Sequence, residues 1–213
     1  MVVLRSRARQ AAPALFGLVL PLPPLRDEHV DVPGINLAAT TEDNSKTRRG
    51  WALFEGTSVD SGYVKRGEFL DRATVGKIVK ATELPIDHRL IDHANAFTVE
   101  MLHPNDRLEA VTEQEMLLGK NRFLIGGELM AAATIKLIST DAFTGLRTYE
   151  FTTMLRGLKG TFLNSQYHLP NTLVVALDYG GIYFHDYAVS RIGEATFFKF
   201  VANGGLVATA VPI

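Results

Sequence analysis

Two aspartate–histidine pairs, Asp87-His88 and Asp92-His93, are the first residues whose types suggest chemistry. An imidazole beside a carboxylate can hold a divalent metal or relay a proton. The two histidines stand five positions apart, however, whereas imidazoles share a helical face at i, i+4. No glutamate occupies the place of a zinc-hydrolase base, so both pairs read as a polar connector. His29 and His103 lie beside turn residues, and His185 lies within a strand candidate. His168 precedes Leu169-Pro170, where it packs or caps locally. No metal site is expected.

Nucleophiles are equally poorly supported. There is no Gly-x-Ser-x-Gly elbow and no cysteine, which removes a thiol nucleophile, a thiolate zinc site and a disulfide framework. Gly56-Thr57-Ser58-Val59-Asp60-Ser61-Gly62 resembles a phosphate-binding loop but lacks the Gly-Lys-Ser/Thr ending and leads into no clear helix. It reads as a solvated loop. Thr41-Glu42-Asp43-Asn44-Ser45 offers many oxygens without the glycine and closing glutamate of a calcium loop. Two acids facing each other across a groove would serve a glycoside hydrolase, but spacing pairs none of the 23 available. The expectation is a protein with no catalytic residues and no cofactor. A cell-wall or capsule hydrolase is the lesser alternative.

Met154-Leu155-Arg156-Gly157-Leu158-Lys159-Gly160-Thr161 is the unusual segment. Alone, it is a tight turn whose glycines take positive φ, with Arg156 and Lys159 solvated or paired with acids. Tyr179, Tyr183 and Tyr187 form a possible binding strip, because aromatics give large contact area at low entropy cost. Core or cross-strand pairing is the competing assignment for these tyrosines.

The elements that would position these groups are mostly strands. Ala96 to Leu102 ends at the turn cluster His103-Pro104-Asn105-Asp106. Glu128 to Ile138, entered through Gly126-Gly127, and Arg147 to Leu155 form a hairpin around a polar turn. Leu173 to Leu177 and Ile182 to Tyr187 flank Asp178-Tyr179-Gly180-Gly181 as a second hairpin. Thr196 to Ala202 and Leu206 to Val211 flank Asn203-Gly204-Gly205 as a third. Phe69 to Glu83 reads as strand, since Gly76 and Thr74 weaken a helix. The best helix is Thr112 to Gly119, with Thr112 and Glu115 at capping-box spacing and Gly119 able to end it. The fold class is mainly β, an antiparallel sandwich or barrel-like lobes with one or two short helices.

The 213 residues, 46% hydrophobic, support one substantial core or two small ones. Residues 1–24 read as an extended arm, 25–84 as a first β lobe and 85–213 as a second, or the whole as one domain. Arg5, Arg7 and Arg9 before the apolar run Ala11 to Leu22 resemble a secretory signal. No small-x-small site follows, and Pro21, Pro23 and Pro24 interrupt the run, so an arm or edge strand is expected and no membrane span. A net charge of −1 with interspersed signs argues against nucleic-acid readout.

Several segments together resemble the C-terminal region of the tail-hub proteins of gene transfer agents and related siphophages. Met154 to Thr161 is similar to that family's Leu-Leu-Arg-Gly-x-x-Gly-Thr, placing Arg156, Gly157, Gly160 and Thr161 on its motif. Met116-Leu117-Leu118-Gly119-Lys120-Asn121 resembles its leucine-rich helix with Gly-x-Asn. Leu124-Ile125-Gly126-Gly127-Glu128-Leu129 resembles its Ile-Gly-Gly-Glu-Leu strand entry. Asn95 to Leu102, Trp51 to Phe54 with Asp60-Ser61-Gly62, Leu25-Arg26-Asp27 and Pro33-Gly34 follow in the family's order. The resemblance implies a structural protein of a bacteriophage-like tail tip or baseplate in the virion. It would contact distal-tail, hub or fibre proteins as a homo-oligomer, a trimer if the family pattern holds. Without the family's upstream domains, a free-standing subunit is expected. A module binding a host-surface glycan or receptor is the runner-up.

Overall fold

The structure, a computed structural model, describes residues 15–41, 50–80, 87, 89–164, 168–203 and 205–213. His88, residues 42–49, most of the connector around Pro85 and Gly204 lie outside them, as do the first residues of the expected arm. Twelve strands are described: β1 (Phe16–Leu20), β2 (Gly34–Thr40), β3 (Trp51–Gly56), β4 (Val64–Phe69), β5 (Thr74–Lys80), β6 (Phe97–Met101), β7 (Arg122–Ile125), β8 (Glu128–Thr140), β9 (Arg147–Leu155), β10 (Leu173–Ala176), β11 (Ile182–Asp186) and β12 (Phe197–Ala202). The α-helix, α1, spans Glu113–Leu117. The expected class is therefore observed: mainly β, with barrel and sheet layers and short helices.

The middle of the chain closes on itself. Six antiparallel strands form a barrel in the order β10-β5-β6-β9-β8-β7. Period-two alternation explains its filling: Phe97, Val99 and Met101 of β6 point inward with Phe123, Ile125, Met130, Phe151 and Val174. The rings of Phe97 and Phe151 stack with centroids 5.0 Å apart, and Phe123 meets Phe151 edge-on at 5.0 Å. Gly76 lies in this tight interior, where an added Cβ would come within 2.5 Å of Val99.

The chain ends build two further layers, β1-β2-β11 and β12-β3-β4. Outward barrel residues Val75, Leu124, Leu129 and Val175 pack on Leu20 and Ala38. The other face of β2 sends Leu37 and Ala39 against Trp51, Leu53, Phe198 and Phe200. β2 is thus covered on both faces, which is why it is buried almost continuously. The division expected near residue 84 falls between β5 and β6, which pair with each other in the barrel.

The β8–β9 hairpin, β5, β6 and α1 lie where the sequence puts them. Helix α1 has its capping box, with Glu115 N donating to Thr112 Oγ1 (3.2 Å) and Thr112 N to Glu115 Oε2 (3.0 Å). Two hairpins are corrected. β10 and β11 do not pair: both edges of β10 are taken by β5 and β7, and β11 joins β2 instead. Gly180 and Gly181, at φ 84° and 74°, turn the chain from the barrel into the next layer. Leu206 to Val211 is not a strand. Gly205 N donates to Ala202 O, Val207–Thr209 forms a 3-10 turn, and Pro212 lacks the donor a ladder needs. Only Ile213 rejoins the sheet edge, exchanging two hydrogen bonds with Phe198 (3.0 and 2.9 Å).

Candidate functional site

The family-motif residues converge on one buried carboxylate. Gly126 and Gly127, at φ 55° and 90°, make the two-residue turn between β7 and β8. Positive φ at both positions is the hairpin turn that glycine permits without steric cost. It delivers Glu128 as the first residue of β8, with no solvent exposure. On the neighbouring strand, Arg156 follows the last residue of β9 and is 1% exposed. Its Nε reaches Glu128 Oε1 and its NH2 reaches Oε2, each at 2.7 Å. Gly157 N donates to Oε1 (2.9 Å), and His168 Nε2 lies 2.6 Å from Oε2.

The chain from Gly157 onward wraps this pair. Gly157 takes φ 65°, Lys159 φ 50° and Gly160 φ 82°. Thr161 Oγ1 accepts from Leu129 N (2.9 Å) and donates to Leu158 O (2.8 Å). Lys159 Nζ donates to Pro24 O (2.6 Å), tying the loop to the segment after β1. Arg156, Gly157 and Thr161 thus fasten the exit of β9 to the entrance of β8. A carboxylate held by a forked guanidinium, a backbone N–H and an imidazole, and closed to solvent, cannot meet a substrate. Chemically this is a clamp.

Gly119 and Asn121 make a second fastening. Gly119, at φ 90°, ends α1, with Lys120 N donating to Glu115 O and Gly119 N to Met116 O. Asn121, at φ 56°, donates through Nδ2 to Glu109 O (2.7 Å) and accepts from the Tyr179 hydroxyl (2.9 Å). Glu109 N donates to that hydroxyl (3.0 Å). Burial pushes the Tyr179 phenol above its ordinary value, opposed in part by the backbone hydrogen bond at Glu109.

The three tyrosines do not share one exposed face. Tyr179 packs against the barrel core. Tyr183 and Tyr187 pack with the sandwich cluster, Tyr183 against Phe69 at 4.6 Å and Tyr187 edge-on to His185 at 4.9 Å. Beside them sits a polar group that sequence spacing could not assemble. Glu55, 3% exposed, accepts from Arg66 Nε (2.6 Å) and pairs with Arg191. Burial raises its carboxyl, but the hydrogen bonds from Arg191 and Arg66 outweigh that and hold it below the usual value. His185 Nε2 lies 3.2 Å from Glu55 Oε2, an ionic contact, and among the described residues neither ring nitrogen makes a hydrogen bond of good geometry. Desolvation lowers the His185 pKa, against the pull of Glu55.

A barrel clamped at one hinge and flanked by two small sheets defines a compact β scaffold. Residues 73–175, which run from the start of β5 into β10 and so span the barrel strands, match the family model described as Rcc01698-like, C-terminal. Rcc01698 is a gene-transfer-agent protein, and this barrel segment is accordingly similar to a gene-transfer-agent-associated domain. No curated protein matches the chain. The sequence motifs hold Glu128 and Arg156 in one set but leave His168 unpartnered. Its partner stands 40 positions earlier, a separation that no local spacing signals.

Proposed function

We propose that the protein is a structural component of a phage-like tail tip or baseplate, positioning neighbouring tail or fibre proteins without catalysis or a cofactor. The observation that carries this reading is the match of the barrel, first strand to last, to a gene-transfer-agent-associated family. The ordered resemblance to tail-hub C-terminal regions supports the finer location. The mechanism is geometric: a β body stiffened at Glu128–Arg156 keeps its surfaces at fixed angles, and repetition in a symmetric ring fixes those of its neighbours. Immunogold labelling of purified particles with an antibody to this chain tests it. Label at the tail tip is expected; label on the capsid, or none on intact particles, overturns it.

A further inference from the structure

The barrel and the β1-β2-β11 sheet leave a cleft of about 600 Å³ between them, a volume within the usual range for small-ligand sites. Arg122 and Asp178 form its barrel wall, Asn36 and Phe184 line it from the sheet, and Arg26 and His29 border it from the turn after β1. Of the segments that resemble the family, Leu25-Arg26 borders it, whereas Met154 to Thr161 and Leu124 to Leu129 do not.

One polar atom here is buried without a partner, and a second polar side chain borders the cleft beside it. Asn36 is 5% exposed, and it lines the cleft. His29 Nδ1 is buried and, among the described residues, has no hydrogen-bond partner. Leaving such an atom unsatisfied is costly, so native folds rarely retain one at a cleft unless something else meets it. The neighbouring groups are rigid and planar. Arg122 grips Asp178 through NH2 (2.6 Å) and Nε (3.2 Å), while its backbone N–H takes the other carboxylate oxygen (2.9 Å). A third contact runs from Arg122 NH1 to Leu25 O (3.4 Å), leaving guanidinium N–H groups unengaged. The His29 ring lies flat on Phe184, centroids 3.8 Å apart at 8°, giving a firm aromatic wall.

We infer that this cleft binds a neutral saccharide unit. Its charges cancel, Arg122 against Asp178 and Arg26 against Glu28 (3.2 Å), so it offers no net field to select an anion or a cation. It offers instead fixed donors and acceptors beside an aromatic face. Vicinal hydroxyls, each a donor and an acceptor, match the Asn36 amide and the Arg122–Asp178 edge, and the C–H face of a pyranose matches the His29–Phe184 wall. Of the three tyrosines, only Tyr183 borders the cleft. The site is independent of the scaffold role, which stands or falls on particle labelling.

The test uses the full chain in ligand-observed saturation-transfer NMR with glucose, galactose, mannose and N-acetylglucosamine, and glucuronic acid as the charged comparator. A glycan array extends the panel. At least one neutral sugar is expected to receive saturation, with its dissociation constant raised about tenfold or more by Asn36→Ala and by His29→Ala, the loss of one hydrogen bond each. His29→Ala lies on a surface turn outside both sheets and decides alone if Asn36→Ala does not fold. No response from any neutral sugar overturns the inference, as does a stronger response to glucuronic acid. Binding undiminished in His29→Ala and in a folded Asn36→Ala overturns it equally.

Discussion

Arg156 and Glu128 meet side-on across the end of the β8–β9 hairpin, two hydrogen bonds of 2.7 Å in a pocket with almost no solvent exposure. A buried pair of this kind adds little net stability over apolar residues of the same shape, but losing one partner strands a charge. Arg156→Met is therefore expected to destabilise the fold by about 3–5 kcal/mol. Glu128→Met combined with Arg156→Met should recover a large part of that loss. Urea unfolding of the four proteins checks it; a double variant no better than the worse single one would show that the hydrogen bonds of Gly157 and His168 to Glu128 matter more than the pair.

Two glycines in different turns separate backbone strain from crowding. Gly160 has φ 82° with open space where a Cβ would stand, whereas at Gly181, φ 74°, a Cβ would lie 2.4 Å from the backbone of Arg72 and Ala73. Gly160→Ala should cost about 1–2 kcal/mol, the left-handed penalty alone. Gly181→Ala should cost clearly more, because backbone atoms cannot swing aside as a side chain can. Equal losses in thermal unfolding would contradict this ranking.

What could be read ahead of the structure follows from how locally each feature is encoded. The β8–β9 hairpin, α1 with its Thr112–Glu115 box, and the Gly126-Gly127 turn are each written in one contiguous stretch and appear as expected. The partner of β10 is not local. Leu173 to Ala176 and Ile182 to Asp186 look like a hairpin, yet barrel closure fills both edges of β10 from β5 and β7. The Leu206 to Val211 run has strand composition, but it turns through a 3-10 segment, Pro212 has no donor, and the open edge of β12 is met only by Ile213. At the clamp, glycine spacing flags the turn, while the third member, His168, sits across a loop whose closure only tertiary packing determines. The Glu55 group draws on β3, β4, β11 and a 3-10 turn, and no motif could have gathered it.

That group sets a pH dependence. The His185 pKa is depressed below its ordinary 6.5 by desolvation, so the unfolded chain binds a proton there more readily than the folded one. The contribution is fully present above 6.5 and is lost as pH falls through the lower folded value. Glu55, also lowered, adds a second loss below its ordinary 4.5. The urea midpoint of the wild type should drop between about pH 7.5 and about pH 5.5, and His185→Phe, which keeps the edge-on contacts to Tyr187 and Phe198, should flatten that slope. A slope unchanged by His185→Phe would assign the dependence elsewhere.

The Tyr179 hydroxyl joins two segments that are far apart in sequence, donating to Asn121 Oδ1 and accepting from Glu109 N. Tyr179→Phe keeps the ring on the barrel core but removes both bonds, leaving the buried Asn121 amide oxygen and the Glu109 N–H without that partner. A loss of about 1–3 kcal/mol is expected, the range for an unsatisfied polar group. Asn121→Gly should behave differently. It relieves the left-handed backbone at φ 56° while losing the side-chain bonds, so its net loss should be smaller than that of Asn121→Ala, which bears both penalties. Hydrogen exchange locates the effect: faster exchange at Glu109 and at the Ala132 N–H, which donates to Asn121 O, is expected in Tyr179→Phe, with the β8–β9 hairpin amides beyond them unchanged. Uniform acceleration across the barrel would mean that Tyr179 acts through core packing instead.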